Sequence, residues 1–556
     1  MSEDFDQVIA YHLRTKHHPR ALAPGPAGLD WSNQPDPFRS YEAAPQIRLI
    51  RQGFISAAKG AGNEGPSEDI IRPSPLNLMS LSQLFFESLA LSGQKSVSSA
   101  RWYLRVNPSS GNLHPTEAYL ISGPIAASPH GLLPAGLYHY APKSHALELL
   151  ARIKEESWRD LELPKGTMLL ALTSISWRES WKYGERAFRY SMIDLGHALA
   201  AVGVAARCLG WRALLEDDLG TDDLTKLLGL EEHSQLSRYE GEEEHADLLL
   251  AIHTDGSKPL SLHSSDLSKL KLEREPVRAN VLSLGHAPWA LIDQVSDASK
   301  KPSTNTIYSA LNSASSSLPG SCKIYTVLNT DMNNDLAARY CQLLRKRRSA
   351  QIMDGMSSMP AHSFLSILRA VMPKSSPLDL LPWKPCIHPV FFVHRVEGLE
   401  KGLYILLRDG GQKEVLKEAM LEDFVWERSS GAPPDIELYL LAQGDSRLAA
   451  KETSCRQDIA SDGCFAAAML AAFNGPLQKY GSWFYRRLFW ECGVIGQAFY
   501  LAGEAAGYQG CGIGCFFDDM VHHMLGLSGY EYQDLYHFTV GRALVDPRLT
   551  DLPAYD

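Results

Sequence analysis

Short apolar runs of strand length alternate with longer helical stretches along this chain, and one helical stretch occurs twice. TMLLALTSI (167–175) and IELYLLAQG (436–444) read as buried strands lying ahead of long helices. The helix over 182–210 carries Gly196, Ala198, Ala200, Ala201, Gly203, Ala205 and Ala206. The helix over 479–507 carries Gly493, Gly496, Ala498, Ala502, Gly503, Ala505 and Ala506. Each such glycine costs about 1 kcal/mol of helix propensity relative to alanine, which predicts a packing reason for it. Small residues on several faces let helices approach closely, so these two are expected to pair as the helices of a homodimer would.

The two helices align without a gap at a spacing of 297 residues. Lys182, Tyr183, Gly184, Arg189, Gly196, Ala201, Ala205 and Gly210 meet Lys479, Tyr480, Gly481, Arg486, Gly493, Ala498, Ala502 and Gly507. These eight identities in 29 positions exceed the roughly two that composition alone gives. Upstream, NLHPTEAYLI followed by AGLYHY is echoed by CIHPVFFVHR followed by KGLYIL. The chain therefore reads as an α+β protein of two fused copies, each a mixed sheet flanked by helices, forming a pseudo-dimer within one chain. The expected divisions are an extension wrapping the fold (1–75), copy one (76–253), a connector with limited structure (254–335) and copy two (336–556).

Composition narrows the classes. A chain of 556 residues exceeds one ordinary core and accommodates two or three domains. A net charge of −10 argues against general nucleic-acid binding. No apolar run reaches membrane-spanning length and the first twenty residues carry no signal or transit pattern, so a cytoplasmic, soluble protein is expected. The nine cysteines, odd in number and scattered, do not form a disulfide framework. Cys492, Cys511 and Cys515 lack a second ligand pair, so no metal site is predicted.

Four blocks offer chemistry. Asn107-Pro108-Ser109-Ser110-Gly111-Asn112-Leu113-His114-Pro115 is a polar turn whose hydroxyls, amide, imidazole and free N–H groups can hydrogen-bond a flat heteroaromatic edge. A plain surface loop explains those residue types equally well. Arg347-Arg348-Ser349 follows a helix and suits a phosphate dianion, while its alternative is a solvated helix end. Gly512-Ile513-Gly514, within GYQGCGIG, can turn N–H groups toward an anion or a ring, although glycines after a helix are also ordinary stop signals. FTVGRALVDPRL adds Arg542 and Arg548.

In this order the blocks resemble the nitroreductase superfamily, whose members bind FMN between two subunits. YHLRTKH (11–17), PSSGNLHPTEAYL, GLYHY and KYGERAFRY followed by DLGHALA resemble most closely the SagB-type dehydrogenases, which oxidise azolines in peptides. The resemblance implies FMN contacts from Pro108, Ser109, Ser110, Asn112, His114, Arg347, Arg348, Ser349, Gly512, Ile513, Gly514 and Arg548. It implies proton removal by Lys182 and Tyr183, with Lys479 and Tyr480 as their counterparts. The departures are informative: copy one lacks an RRS segment and has Glu216-Asp217-Asp218 where copy two has Ile513-Gly514-Cys515, while copy two has PWKPCIHP in place of PSSGN. Copy two should hold the phosphate and copy one should cover the ring, giving one FMN per chain. The implied substrate is a peptide or small molecule dehydrogenated by hydride transfer to flavin, with NAD(P)H or oxygen as redox partner. No strand-linked G-x-G-x-x-G marks a separate nucleotide domain. An NAD(P)H-dependent nitro or quinone reductase and a non-redox flavin- or peptide-binding pseudoenzyme remain open alternatives.

Overall fold

A computed structural model describes residues 3–51, 73–127, 131–231, 242–254, 262–304 and 336–555. Two antiparallel sheets carry the same strand order. In copy one the strands are β1 (Thr116–Ser122), β2 (Gly136–Ala141), β3 (Ala146–Ile153), β4 (Thr167–Ile175), β5 (Arg212–Leu215) and β6 (Glu244–His253), arranged β5-β6-β4-β1-β2-β3. In copy two they are β7 (Ile387–Val393), β8 (Gly402–Leu407), β9 (Glu437–Gln443), β10 (Phe465–Ala472), β11 (Gln509–Ile513) and β12 (Tyr532–Gly541), arranged β11-β12-β10-β7-β8-β9. The α+β reading of two like units therefore holds. Most central strands are buried along their whole length, because a helical layer covers one face and further helices and loops the other.

The helices that matter for the site are α1 (Glu3–Arg14), α2 (Ser176–Tyr183), α3 (Ala187–Cys208), α4 (Ala290–Ala298), α5 (Leu336–Lys346), α6 (Asn474–Tyr480), α7 (Phe484–Ala505) and α8 (Asp518–Leu525). Helices α3 and α7 pack on one another, as the small residues predict. They cross at Gly196 and Gly493: a Cβ on Gly196 would lie 2.9 Å from the Gly493 Cα, and one on Gly493 would lie 2.8 Å from the Gly196 Cα. The two glycines are themselves the aligned pair, so the crossing is self-reciprocal, like an isologous dimer contact.

Three expectations need correction. IELYLLAQG is a strand, β9, but the strand leading into the second long helix is β10, whose sequence FAAAMLAA is poor in β-branched residues and gives little strand signal. The His-Pro echo is out of register. Tyr119 pairs with Ala171 and Val390 with Ala468, and these alanines are 297 residues apart, so His388 stands in the place of Glu117 rather than His114. The 254–335 stretch is more structured than a connector: Leu272–Arg274 pairs with β3, Arg278–Ala279 pairs with Tyr41–Glu42, and α4 packs on α1. Residues 255–261 and 305–335 lie outside the described ones.

The structured part of that stretch repeats the N-terminal one. Arg189 donates from Nε to the Thr15 hydroxyl at 2.9 Å and from its terminal nitrogen to the His12 carbonyl. The aligned Arg486 donates from Nε to the Ser299 hydroxyl at 2.9 Å and to the Ser296 carbonyl at 2.8 Å. Similarly, the His17 N–H meets the Asp518 carboxylate at 2.9 Å, and the Lys301 N–H meets the Thr221 hydroxyl at 3.0 Å. Helix α1 with Thr15 and helix α4 with Ser299 are thus corresponding pieces, each locking a buried arginine at the junction of the copies.

Candidate active site

A cavity of about 320 Å³ opens between the copies. Copy one lines it with Pro108 to Gly111, Tyr183, Tyr190, Asp194 and His197, and copy two with Ser349, Gln457, Tyr500, Cys511 to Cys515 and Tyr536. The PSSG turn, the end of the RRS segment and the glycine strand, far apart in sequence, thus share one wall-to-wall space.

The Pro108–Gly111 turn is held from behind by a buried acid. Asp194, on α3, accepts hydrogen bonds from the Ser110 N–H at 2.9 Å and the Ser110 hydroxyl at 3.0 Å. Burial pushes the Asp194 carboxyl up to about 7, against the pull of those bonds. Burial and the Asp194 charge raise Glu179, beside it, well above the usual carboxylate range. Gly111 is obligatory in this turn: its φ is +59°, and a Cβ there would sit 2.6 Å from the Tyr183 hydroxyl and 3.1 Å from the Lys182 Nζ. Lys182 and Tyr183 therefore stand together over the turn. Burial and the Glu179 charge raise the Tyr183 hydroxyl well above its ordinary range, so it stays protonated.

Copy two builds the opposite wall. The Tyr500 hydroxyl accepts from the Gly512 N–H at 3.0 Å and shares a 2.7 Å hydrogen bond with the Ser349 hydroxyl. Arg347, buried, lies with its guanidinium 4.8 Å from the Tyr500 ring centroid and bonds the Ser349 hydroxyl at 3.3 Å and the Val106 carbonyl at 3.3 Å. Burial lowers its pKa, and among the described residues no carboxylate is ion-paired with it. Gly512 and Gly514 serve packing as well as exposure: a Cβ on the first would overlap the Tyr536 hydroxyl, and one on the second would overlap the Tyr190 ring. The stretch expected to be a glycine turn is largely strand β11, with the Ile513 side chain buried in copy two's core.

The lining does not include Lys182 or Arg347, nor the remaining expected residues Asn112, His114, Arg348 and Arg548. Asn112 braces the turn, donating to the Tyr103 carbonyl at 2.8 Å and bonding His114 at 2.9 Å. His114 is buried behind the turn and pushed well below its usual pKa by desolvation and by Arg105 and Arg178. Arg348 turns toward copy one, donating to the Ser92 carbonyl at 2.9 Å. Arg548 is exposed and paired with its neighbour Asp546 at 2.7 Å.

The nitroreductase family matches residues 94–238 and 344–542, one segment in each copy. The chain belongs to the nitroreductase family. Its fold is similar to the crystal structure of a putative nitroreductase from Anabaena variabilis, with a TM-score of 0.67, 20% identity, and coverage of 97% of this chain and 99% of that one. A curated putative nitroreductase of Methanocaldococcus jannaschii is 23% identical over 171 residues, spanning 29% of this chain and 79% of the relative.

This nitroreductase-family chain has a counterpart position related by the α3–α7 crossing, and it is built differently. Where the cavity has Tyr190 against Gly514, the counterpart has Arg487 ion-paired with Asp217 at 2.6 Å, both buried. Where the cavity has Tyr500, the aligned Gly203 leaves room that the Leu380 side chain fills. Glu491, aligned with Asp194, performs the same bracing on the PWKPC loop, accepting from the Cys386 N–H at 3.1 Å and the Trp383 indole at 3.0 Å. Sequence reading missed the lining residues Tyr190, His197, Tyr500 and Tyr536. Their aligned partners, Arg487, Val494, Gly203 and, on the strand, a non-tyrosine, show the signal: positions where the two copies disagree inside otherwise matched elements.

Proposed function

We propose that this chain is an FMN-dependent oxidoreductase that dehydrogenates a peptide or small-molecule substrate, with one flavin in the cavity between its copies. The observation carrying the proposal is the pairing of copy one's Pro108–Gly111 turn with copy two's Ser349 and Cys511–Gly514 around one space. Its volume lies within the about 300–1,000 Å³ common for cofactor sites. Arg347, desolvated beside Ser349 and in no ion pair among the described residues, fits a phosphate. Gly111 and Gly512, where a Cβ would run into the Tyr183 and Tyr536 hydroxyls of the same lining, fit a flat ring approached by backbone.

Bound there, flavin would supply two-electron acceptor chemistry. Arg347 and Ser349 would hold its phosphate, the Pro108–Gly111 turn and the Gly512–Gly514 backbone would orient its ring, and the aromatic walls would exclude water. Tyr183, kept protonated, presents a hydroxyl donor over the turn. Lys182, beside it, is the group assigned to take the substrate proton. Tyr190 and Tyr536, which line the cavity, offer aromatic surface for a planar substrate.

The purified protein should be yellow, with one FMN per chain. Lys182→Ala should keep the colour and lose turnover by about 100-fold or more. Loss of flavin from that variant would reassign the lysine to structure, and a colourless protein unmoved by added FMN would end the proposal. Rapid anaerobic bleaching by NADH or NADPH would instead indicate a reductase acting on nitro or quinone compounds.

A further inference from the structure

Two cysteines meet at the rim of the cavity, and the fold spends backbone strain to bring them there. Cys455 follows the helix Arg447–Thr453, Cys515 follows β11, and their Sγ atoms are 2.7 Å apart. Cys515 also lines the cavity. Both, like Cys511, are partly accessible, whereas Cys208, Cys341, Cys386, Cys464 and Cys492 are buried. Cys455 and Arg456 are consecutive non-glycine residues in the left-handed region, with φ of 51° and 60°. Such a pair persists only where the surroundings over-determine it. They do so here: the Gln457 amide donates to the Cys515 carbonyl and to the Ser454 carbonyl, each at 2.9 Å. The Phe517 N–H donates to the Thr453 carbonyl at 2.8 Å, and the Ser454 hydroxyl bonds His537 at 2.9 Å. The segments are thus tied on both sides of the sulfur pair.

We propose that Cys455 and Cys515 form a reversible dithiol–disulfide couple whose oxidant is a low-molecular-weight disulfide of the glutathione class. Cys515 is the attacking thiol. The Cys455 thiol and the Arg186 guanidinium favour its thiolate, while Cys455 itself is raised by its partner and by burial. The Cys515 thiolate attacks one sulfur of the small disulfide, forming a mixed disulfide and releasing one thiolate. Cys455 then attacks the Cys515 sulfur, releasing the second thiolate. Two electrons pass from the protein to the small disulfide, and the two protons lost by the cysteines convert the released thiolates to thiols. The new bond joins the 453–457 turn to the strand end whose Gly514 carbonyl receives the Tyr190 hydroxyl at 3.1 Å. Oxidation therefore fixes one wall of the cavity. The couple requires no flavin, so it stands or falls separately from the proposed function.

The test equilibrates the full chain with graded ratios of reduced to oxidised glutathione, alkylates it in denaturant with iodoacetamide, and maps peptides by mass spectrometry. Labels at 455 and 515 should vanish together as the buffer becomes oxidising, with a cross-linked peptide lighter than its two reduced parts by two hydrogens. Reductant should restore both labels. Cys455→Ser should trap glutathione on Cys515. Full labelling of both residues in wild-type protein at every ratio would overturn the proposal, as would pairing of Cys515 with Cys511.

Discussion

The cavity and its counterpart differ in what each copy lends the other. At the cavity, Tyr190 of copy one reaches Gly514 of copy two through one hydroxyl–carbonyl bond of 3.1 Å and leaves a space. At the counterpart, Arg487 of copy two meets Asp217 of copy one and closes the position with a buried ion pair. A homodimer must repeat any change at both of its sites, whereas a fused chain can change one alone. One position kept open space, and the other became part of what holds the copies together.

The largest effect is expected at the closed position. Asp217→Ala leaves the Arg487 guanidinium buried without its carboxylate, which should cost about 3–5 kcal/mol of stability, read by denaturant unfolding. The flavin content should stay at one per chain. A rise toward two per chain instead would mean that the counterpart can also bind flavin. Next, Arg347→Ala should weaken FMN by about 1.5–3 kcal/mol, roughly 10- to 150-fold, while leaving riboflavin nearly unaffected in a fluorescence titration of apoprotein. Equal losses for both ligands would remove the phosphate assignment.

A third effect, spread over several pH units, concerns Asp194. Its folded-state pKa of about 7 lies above the usual 3.8, so the folded state binds the proton more tightly than the unfolded one. That contribution to stability is complete below about pH 4 and is lost as pH rises toward 7, at up to about 1.4 kcal/mol per pH unit. Asp194→Asn, which keeps an acceptor for Ser110, should flatten melting temperature against pH in that window. An unchanged profile would show that Asp194 does not titrate there. Glu491, aligned with Asp194, instead has the Arg408 guanidinium beside it.

Much of the fold was legible because the features concerned are local. The glycines and alanines of α3 and α7 announce a close crossing whatever lies around them. The Pro108–Gly111 turn, Ser349 and Gly512–Gly514 were recognisable as blocks, and the structure brings them together. Less legible was anything set by long-range register. The His-Pro echo misled because identical dipeptides fell on non-equivalent ladder positions. Strand β10 was hidden by its alanines, which bury well but carry little β preference. The repeat of α1 by α4 rests on hydrogen bonds to Arg189 and Arg486, with only the short likeness of Thr15-Lys16 and Ser299-Lys300 in sequence. Asn112 and His114 matched a binding pattern by type, yet their side chains bond inward to Tyr103 and to each other.

The glycine crossing of α3 and α7 has a further consequence for how the molecule behaves on dilution. Where such a crossing joins separate subunits, its population falls with protein concentration. Here the partners are tethered, so their encounter is governed by a fixed effective concentration set by the chain. The pairing of the copies, and with it the cavity between them, should then persist unchanged down to the nanomolar range.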